Sequence, residues 1–279
     1  MERDRPHPDA GSARRSGGIS PVARRSKLLH RFMVSYFERY FMRHMNAMRI
    51  ATWGMPAIPS PRGPLVVYSN HPAWWDAAVY ILAADRLVPT YESYAPIDAE
   101  MLAKYGIFGR IGAFGVDLRS PRGAAAFISS SSEILSRPER ALWIAAQGRF
   151  ADVRERPLAI KPGIAHVPEI APEATFIPLA IEYGFWRERG AEACMAFGEP
   201  LGGRDLLALP RAARRSRLED ALTATLDRLS RDVQTQDPSR FTAVIEGRAG
   251  IGGAYDAWRR LAAALSGRSF DPSHARRSA

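Results

Sequence analysis

With 279 residues, 46% of them hydrophobic and 24% charged, the chain can bury a full-sized core, and one domain with appendages is the expectation. The net charge of +10 rests almost wholly on arginine, since lysine occurs only at Lys27, Lys104 and Lys161. Such a chain seeks an anionic partner: nucleic acid, a phospholipid surface or a phosphate-bearing substrate. The single cysteine, Cys194, excludes an internal disulfide and a Cys-based zinc cluster and suits a reducing cytoplasm, and no stretch reaches the roughly 18 apolar residues that a spanning helix needs.

Residues 1–26 are rich in Arg, Pro, Ser and Gly and poor in large apolar side chains, so they bury too little to offset the entropy of ordering and read as a disordered basic tail. Charges and prolines interrupt this stretch and no apolar run follows its arginines, which does not fit a signal peptide. From residue 27 to about 51 the texture changes. Leu29, Phe32, Met33, Tyr36, Phe37, Tyr40, Phe41, Met45 and Met48 recur at spacings of three and four, which predicts an amphipathic helix. Residues 1–50 hold eleven Lys or Arg against four acids, a net +7. Two readings of 27–55 stay open. One is a helix packed on the domain with solvated arginines. The other is a helix at a membrane interface, where aromatic faces flanked by Arg suit the headgroup boundary and each cation near anionic lipid is worth about 1 kcal/mol.

A proline-rich connector spans 56–64, and strands then alternate with helices. A β-branched strand is predicted at 65–69, a helix at 73–84, a strand at 87–93 and a helix at 97–105. A glycine-punctuated segment runs to Gly115, and a helix follows over 122–136. Strands are predicted at 141–146, 175–183 and 192–197. After Pro200 an apolar stripe of Leu218, Ala221, Leu222, Thr225, Leu226, Leu229 and Val233 marks a helix, with a shorter one at 255–265 and a frayed end from 271. The expected fold class is α/β, a mixed central sheet flanked by helices, with the N-terminal amphipathic helix and C-terminal helices around it. Its domain is placed at 56–235, with a helical extension and tail at 236–279.

The segment from Tyr68 to Asp76 follows a strand and opens a helix, where α/β folds place functional loops. Pro72 suits the first helical position and pushes His71 to extended geometry ahead of it. Inside one helix, residues five apart lie about 140° apart; outside it, the His71 ring can fold back to Asp76. The pair then makes a general base with an orienting carboxylate. Such pairs also arise by accident. No serine stands in a G-x-S-x-G elbow and Cys194 sits in an apolar run, so direct attack by an acceptor hydroxyl is favoured over an acyl-enzyme. His166, after Pro162, is read as structural, and Trp74 and Trp75 as core or acyl-path residues.

Asn70-His71 through Asp76 carries an H-x4-D motif and resembles the first of four ordered blocks of the glycerophospholipid acyltransferases, the lysophosphatidic acid acyltransferase-like enzymes. Gly112 to Arg119 resembles the second, which implies that Arg119 binds the acceptor phosphate, as a guanidinium fork can. Trp143 to Phe150 departs from the third, Pro-Glu-Gly-Thr-Arg. The glycine is kept as Gly148, Gln147 replaces the acid, and Arg149 stands one place early as a substitute for the family arginine or as a solvated surface residue. Ile160-Lys161-Pro162-Gly163 resembles the Lys-x-Gly stretch after it. Phe176-Ile177-Pro178-Leu179 resembles the fourth block, and Phe197-Gly198-Glu199-Pro200 the end of the sheet. The likeness spans about 65–200.

It implies an acyl-CoA or acyl carrier protein dependent O-acyltransferase, with His71 and Asp76 catalytic and Asn70, Arg119, Gln147, Gly148, Arg149 and Lys161 binding substrate. Backbone N–H groups near Gly148 are expected to stabilise the oxyanion. No metal and no bound cofactor is implied. The expected partners are a membrane surface with anionic lipids, a lysolipid acceptor and the acyl carrier; nucleic acid is not expected, and the location is the cytoplasmic face of a membrane, peripherally. Gln147 points to a different headgroup, so a glycolipid or carotenoid glycoside acceptor stays open, as does a non-enzymatic basic protein binding membrane or nucleic acid.

Overall fold

The computed structural model describes residues 20–58 and 63–247. The expectations for 1–19 and for a helix at 255–265 lie outside the described residues. Ser20 caps a helical turn, α1 (Pro21–Arg24), at the end of the segment read as a disordered tail. Ser26 then caps α2 (Lys27–His44), accepting from the Leu29 N–H at 3.3 Å. Met33, Val34, Phe37 and Phe41 face the core at helical spacing. On the other side, Leu28, Phe32 and Tyr36 are 80%, 61% and 47% exposed.

The helix ends at His44, not at 51. Met45 takes extended geometry (φ −115°, ψ 154°) and β1 (Met45–Ala51) begins. Met45 and Met48 continue the three-and-four spacing of α2, so periodicity alone runs the helix on. What decides the matter is pairing on both edges of β1, parallel to β7 (Ala191–Phe197) and antiparallel to β9 (Phe241–Glu246). Glu192 of β7, itself buried, accepts from the Asn46 amide and from Arg49 Nε at 2.9 Å, which locks the register.

The chain continues through β2 (Leu65–Ser69), α3 (Asp76–Leu87), β3 (Glu92–Asp98), α4 (Ala99–Lys104), a 3-10 turn, β4 (Ala113–Val116), α5 (Pro121–Leu135) and β5 (Arg140–Ala145). A second 3-10 turn over Pro162–His166 holds His166 and leads into α6 (Val167–Ile170). Then follow β6 (Thr175–Phe185), β7, β8 (Leu201–Gly202), α7 (Gly203–Leu207), α8 (Arg211–Thr235) and β9. The fold is α/β: one mixed nine-stranded sheet, ordered β4-β3-β5-β2-β6-β7-β1-β9 with β8 beside β6. From β4 to β6 the neighbours are parallel; β7 returns antiparallel to β6.

Alternation along the strands splits the core between the two faces. Leu65, Val67, Trp143, Ile177 and Leu179 face α2 and α3, and Val66, Tyr68, Leu142, Ile144 and Phe176 face α5 and α8. On α8, Leu218, Leu222, Leu226 and Leu229 are fully buried, each contributing roughly 1.5–3 kcal/mol. Three further boundaries move. The strand expected at 87–93 lies at Glu92–Asp98, because Leu87 and Val88 finish α3, with the Val88 N–H on the Ala84 carbonyl. The helix expected at 97–105 starts at Ala99, where the Asp98 side chain caps it. The extension at 236–279, read as helical, supplies strand β9 within its described part, and with β1 it carries the sheet beyond both limits of a 56–235 domain.

Arg214, buried in α8, donates to the carbonyls of Ala165, Leu206, Leu207 and Leu209 and to Glu169, tying α6, α7 and α8 together. Hydrogen bonds from Arg211 and Arg214 hold the Glu169 carboxyl down to about 2, against an ordinary 4.5. The folded value is depressed, so this group's contribution to stability is complete above about pH 4.5 and drains away as pH falls toward 2. Thermal melts from pH 2 to 7 are expected to show Glu169→Gln lowering Tm at neutral pH, with the gap to the parent closing on the acid side.

Candidate active site

The parallel strands β4, β3, β5 and β2 carry their carboxyl ends to one side, where open α/β sheets place ligands. His71 leaves the sheet there, two residues after β2, under several constraints. The Asn70 side-chain amide imitates a peptide against β6: Nδ2 donates to the Ile181 carbonyl and Oδ1 accepts from the Ile181 N–H, both at 2.8 Å. Pairing with β6 thus gains a rung while the main chain turns away. The His71 N–H donates to Gln147 Oε1 at 2.9 Å, and its carbonyl accepts from the Ala151 N–H at 3.0 Å. The ring lies 4.4 Å, centroid to centroid, from that of Phe150.

Helix α3 does not start at Pro72. Residues 71–75 form an irregular turn, and Asp76 is the first helical residue. Its carboxylate at a helix N-terminus is favoured by the dipole, and it holds the turn ahead of the helix: Oδ2 accepts from the Ala73 N–H at 3.3 Å. The same oxygen meets His71 Nδ1 at 2.6 Å, and Oδ1 accepts from the Tyr183 hydroxyl at 2.6 Å. Asp76 is fully buried, whereas the His71 side chain keeps 23% of its surface. With Nδ1 protonated toward the carboxylate, Nε2 carries the free lone pair. That tautomer follows from the hydrogen-bond network.

Tyr183 and Tyr80 flank this carboxylate. Burial, reinforced by the charge of Asp76, pushes both phenols above their ordinary range, so both stay protonated and able to donate. The sequence reading missed them. Tyr183 reaches Asp76 because β6 runs on past the last rung with β2, Ser69 beside Leu179, and strand length beyond a partner is not visible before pairing is known. A tyrosine late in a long apolar strand was the available signal.

A cavity of about 480 Å³ is lined by Asp98, Glu100, Met101, Leu118, Arg119, Gly148 and Lys161. The structure therefore brings Arg119, Gly148 and Lys161 together across β4, β5 and the stretch after it. His71 is not among the lining residues; Gly148, next to Gln147, joins the two. Arg119 lines the cavity with Nη2 on Glu100 at 2.7 Å, and its other guanidinium N–H donors have no hydrogen bond to a side chain among the described residues. Lys161 has no charged partner among the described residues, and Gly148 takes φ +60° with its α-carbon turned toward the Lys161 stem.

Four expectations change. Asn70 is buried with its amide committed to Ile181, so it positions the loop and does not touch substrate. Gln147, also buried, is used at both ends, Nε2 donating to the Leu158 carbonyl at 3.0 Å. A carboxylate cannot make that second bond, so Gln147 is fitted to its own surroundings and does not report on the acceptor headgroup. Arg149 turns to Glu155 at the surface, away from the cavity. The Gly148 N–H is taken by the Ala145 carbonyl at 3.0 Å and is closed to an oxyanion.

Gly123 holds the Arg119 loop in place. A Cβ at that position would sit 1.8 Å from the Asp117 carbonyl oxygen, so the turn and α5 approach at a distance only glycine permits. Gly123→Ala is expected to cost about 1–3 kcal/mol through overpacking, read as a Tm lowered by about 2–4 °C per kcal/mol, and to weaken any ligand held by Arg119.

Among the described residues no group of three or more His, Cys, Asp or Glu is arranged to hold a metal ion, and no helix is long and apolar enough to cross a membrane. A scan against protein-family models finds no match, and no curated protein matches the sequence.

Proposed function

We propose that the chain is an O-acyltransferase working at a lipid surface, of the glycerophospholipid acyltransferase type, which moves a fatty acyl group from acyl-CoA or acyl carrier protein to the hydroxyl of a lysophospholipid. The observation that carries this reading is the 2.6 Å contact between His71 Nδ1 and a fully buried Asp76, with the imidazole part-exposed. His71 Nε2 takes the proton of the acceptor hydroxyl, and the alkoxide attacks the thioester carbonyl. The tetrahedral intermediate collapses with loss of the thiolate, which recovers the proton from the imidazolium. Asp76 steadies the ring and offsets its transient charge. Arg119 and Lys161 hold the acceptor's phosphate.

The surface of α2 supports placement on a membrane. Leu28, Phe32 and Tyr36 form an exposed stripe, with Arg31, Arg39 and Arg43 exposed beside it, a pattern suited to the headgroup boundary of anionic lipid. Tyr40 stacks on Tyr36 and meets the edge of Trp74. Trp74 and Phe150 are both more than half exposed, so the stripe leads toward the His71 loop. This arrangement favours a peripheral protein at a membrane surface, proposed to be the cytoplasmic face, and it gives a nucleic-acid partner no use for the apolar stripe.

The test is transfer of a labelled acyl group from acyl-CoA and from acyl carrier protein, with the full chain on vesicles containing phosphatidylglycerol, to lysophosphatidate, a glycolipid and a carotenoid glycoside. Labelled diacyl product with lysophosphatidate is expected. Transfer only to a glycosylated acceptor would keep the chemistry and change the acceptor; transfer to none of the three would overturn the proposal.

A further inference from the structure

A second cavity, of about 450 Å³, is lined by Thr52, Trp53, Arg228, Arg231, Asp232 and Arg240. It lies where β1 ends against the C-terminal half of α8, three strands across the sheet from β2 in the order β2-β6-β7-β1. Adjacent strands are about 4.8 Å apart, which places it roughly 14 Å to the side of β2, and it shares no lining residue with the Arg119 cavity.

Its charges do not cancel. Asp232 is the one acid in the lining, and both of its oxygens are occupied: Oδ2 accepts from Trp53 Nε1 and Oδ1 from Arg240 Nη1, each at 2.7 Å. Burial raises its carboxyl pKa, but the bonds from Trp53 and Arg240 and the nearby charges of Arg240 and Arg228 outweigh this and leave it below the ordinary range. The carboxylate is ionised and already spoken for. Arg240 is also close to Asp237, at 4.0 Å.

Arg228 and Arg231 have no hydrogen bond and no ion pair among the described residues. They stand three apart on one face of α8, where like charges repel. The Arg228 guanidinium carbon lies over the indole of Trp53, 3.9 Å from the ring centroid. A cation–π contact holds the guanidinium in place without using its N–H donors, and the indole is itself pinned by Asp232. The Thr52 hydroxyl is exposed on the same rim and has no hydrogen bond among the described residues. A preset guanidinium, a second unpaired one beside it and a free hydroxyl make a cradle for an anion with several acceptor oxygens.

We propose that Thr52, Trp53, Arg228 and Arg231 form a second binding site, which takes a phosphate group bearing two or more negative charges, separate from the His71 centre. The shared chemistry fits a soluble pyrophosphate or phosphomonoester and the headgroup of phosphatidate alike.

Calorimetric titration of the full chain with inorganic pyrophosphate tests the site. Because Arg119 and Lys161 are themselves proposed to hold a phosphate, the titrations use an Arg119→Gln, Lys161→Gln background; saturable binding is expected there, weakened by adding Arg231→Gln and at least tenfold by adding Arg228→Gln with Arg231→Gln. Arg231→Gln breaks no hydrogen bond or ion pair among the described residues, so its effect reports the ligand and not the fold. Absence of saturable binding in that background, or unchanged affinity when Arg228→Gln and Arg231→Gln are added to it, would each overturn the proposal. Vesicle flotation then separates the sources. If the double variant loses the extra binding that phosphatidate adds to phosphatidylcholine vesicles, the ligand is a lipid headgroup; if it loses only pyrophosphate binding, the ligand is soluble. Because none of these measurements uses acyl transfer, the result stands apart from that of the acylation assay.

Discussion

Replacing His71 by alanine is expected to lower the rate of acyl transfer by a factor of about 10² to 10⁴, the range supplied by a positioned general base. Among the described residues the ring is the one titratable group that is both anchored to Asp76 and open to an incoming hydroxyl. What remains after its removal is positioning of donor and acceptor by the cavity and the lipid surface, so residual transfer and a largely unchanged KM are expected. His71 is held mainly by its backbone, through Gln147 and Ala151, so the loop keeps its course without the side chain. Turnover near the wild-type value, measured with labelled acyl-CoA on protein of unchanged Tm, would remove His71 from the chemistry.

Asp76→Asn is expected to lower turnover by about 10⁴, as the same exchange does in a Ser-His-Asp triad. An asparagine has two ways to sit here, and both fail. With its oxygen toward Tyr183, its NH₂ faces His71 Nδ1 and the Ala73 N–H; the imidazole must then carry its proton on Nε2 and cannot act as a base. With its oxygen toward His71 the tautomer survives, but no charge offsets the imidazolium and the Tyr183 hydroxyl faces a donor. Because the two residues work as one unit, the double variant His71→Ala, Asp76→Asn is expected to lose little beyond the worse single variant. Additive losses would mean that Asp76 acts on the reaction by another route.

The strands at Leu65–Ser69, Arg140–Ala145 and Ala191–Phe197 were legible because each is a short apolar run between breakers. β1 was not, since Met45 and Met48 extend a helical spacing into a segment whose fate is decided by Glu192, about 145 residues on. β9, six residues of mixed burial, carries too weak an alternation to stand out before its partner is known. At the site, Pro72 predicts the His71–Asp76 contact although the helix begins four residues later. The contact needs only that His71 lie outside α3, and that holds either way. Local order in the sequence placed Asn70 and Gln147 near the site but could not tell a residue that touches ligand from one whose amide is consumed by the Ile181 backbone or the Leu158 carbonyl. Arg149 misled for a related reason: one residue past a left-handed glycine, its side chain departs in a direction that spacing does not encode.

Strand β9 occupies the outer side of β1, which directly follows the aromatic helix α2. A protein shortened to end at residue 235 would keep every group around His71 and still leave the backbone of β1 bare along one edge. Open edges of this kind recruit neighbouring chains, so such a truncation invites self-association at the very margin from which the aromatic helix departs. Tags and fusions therefore belong beyond residue 247, where they leave that hydrogen-bonded seam shut.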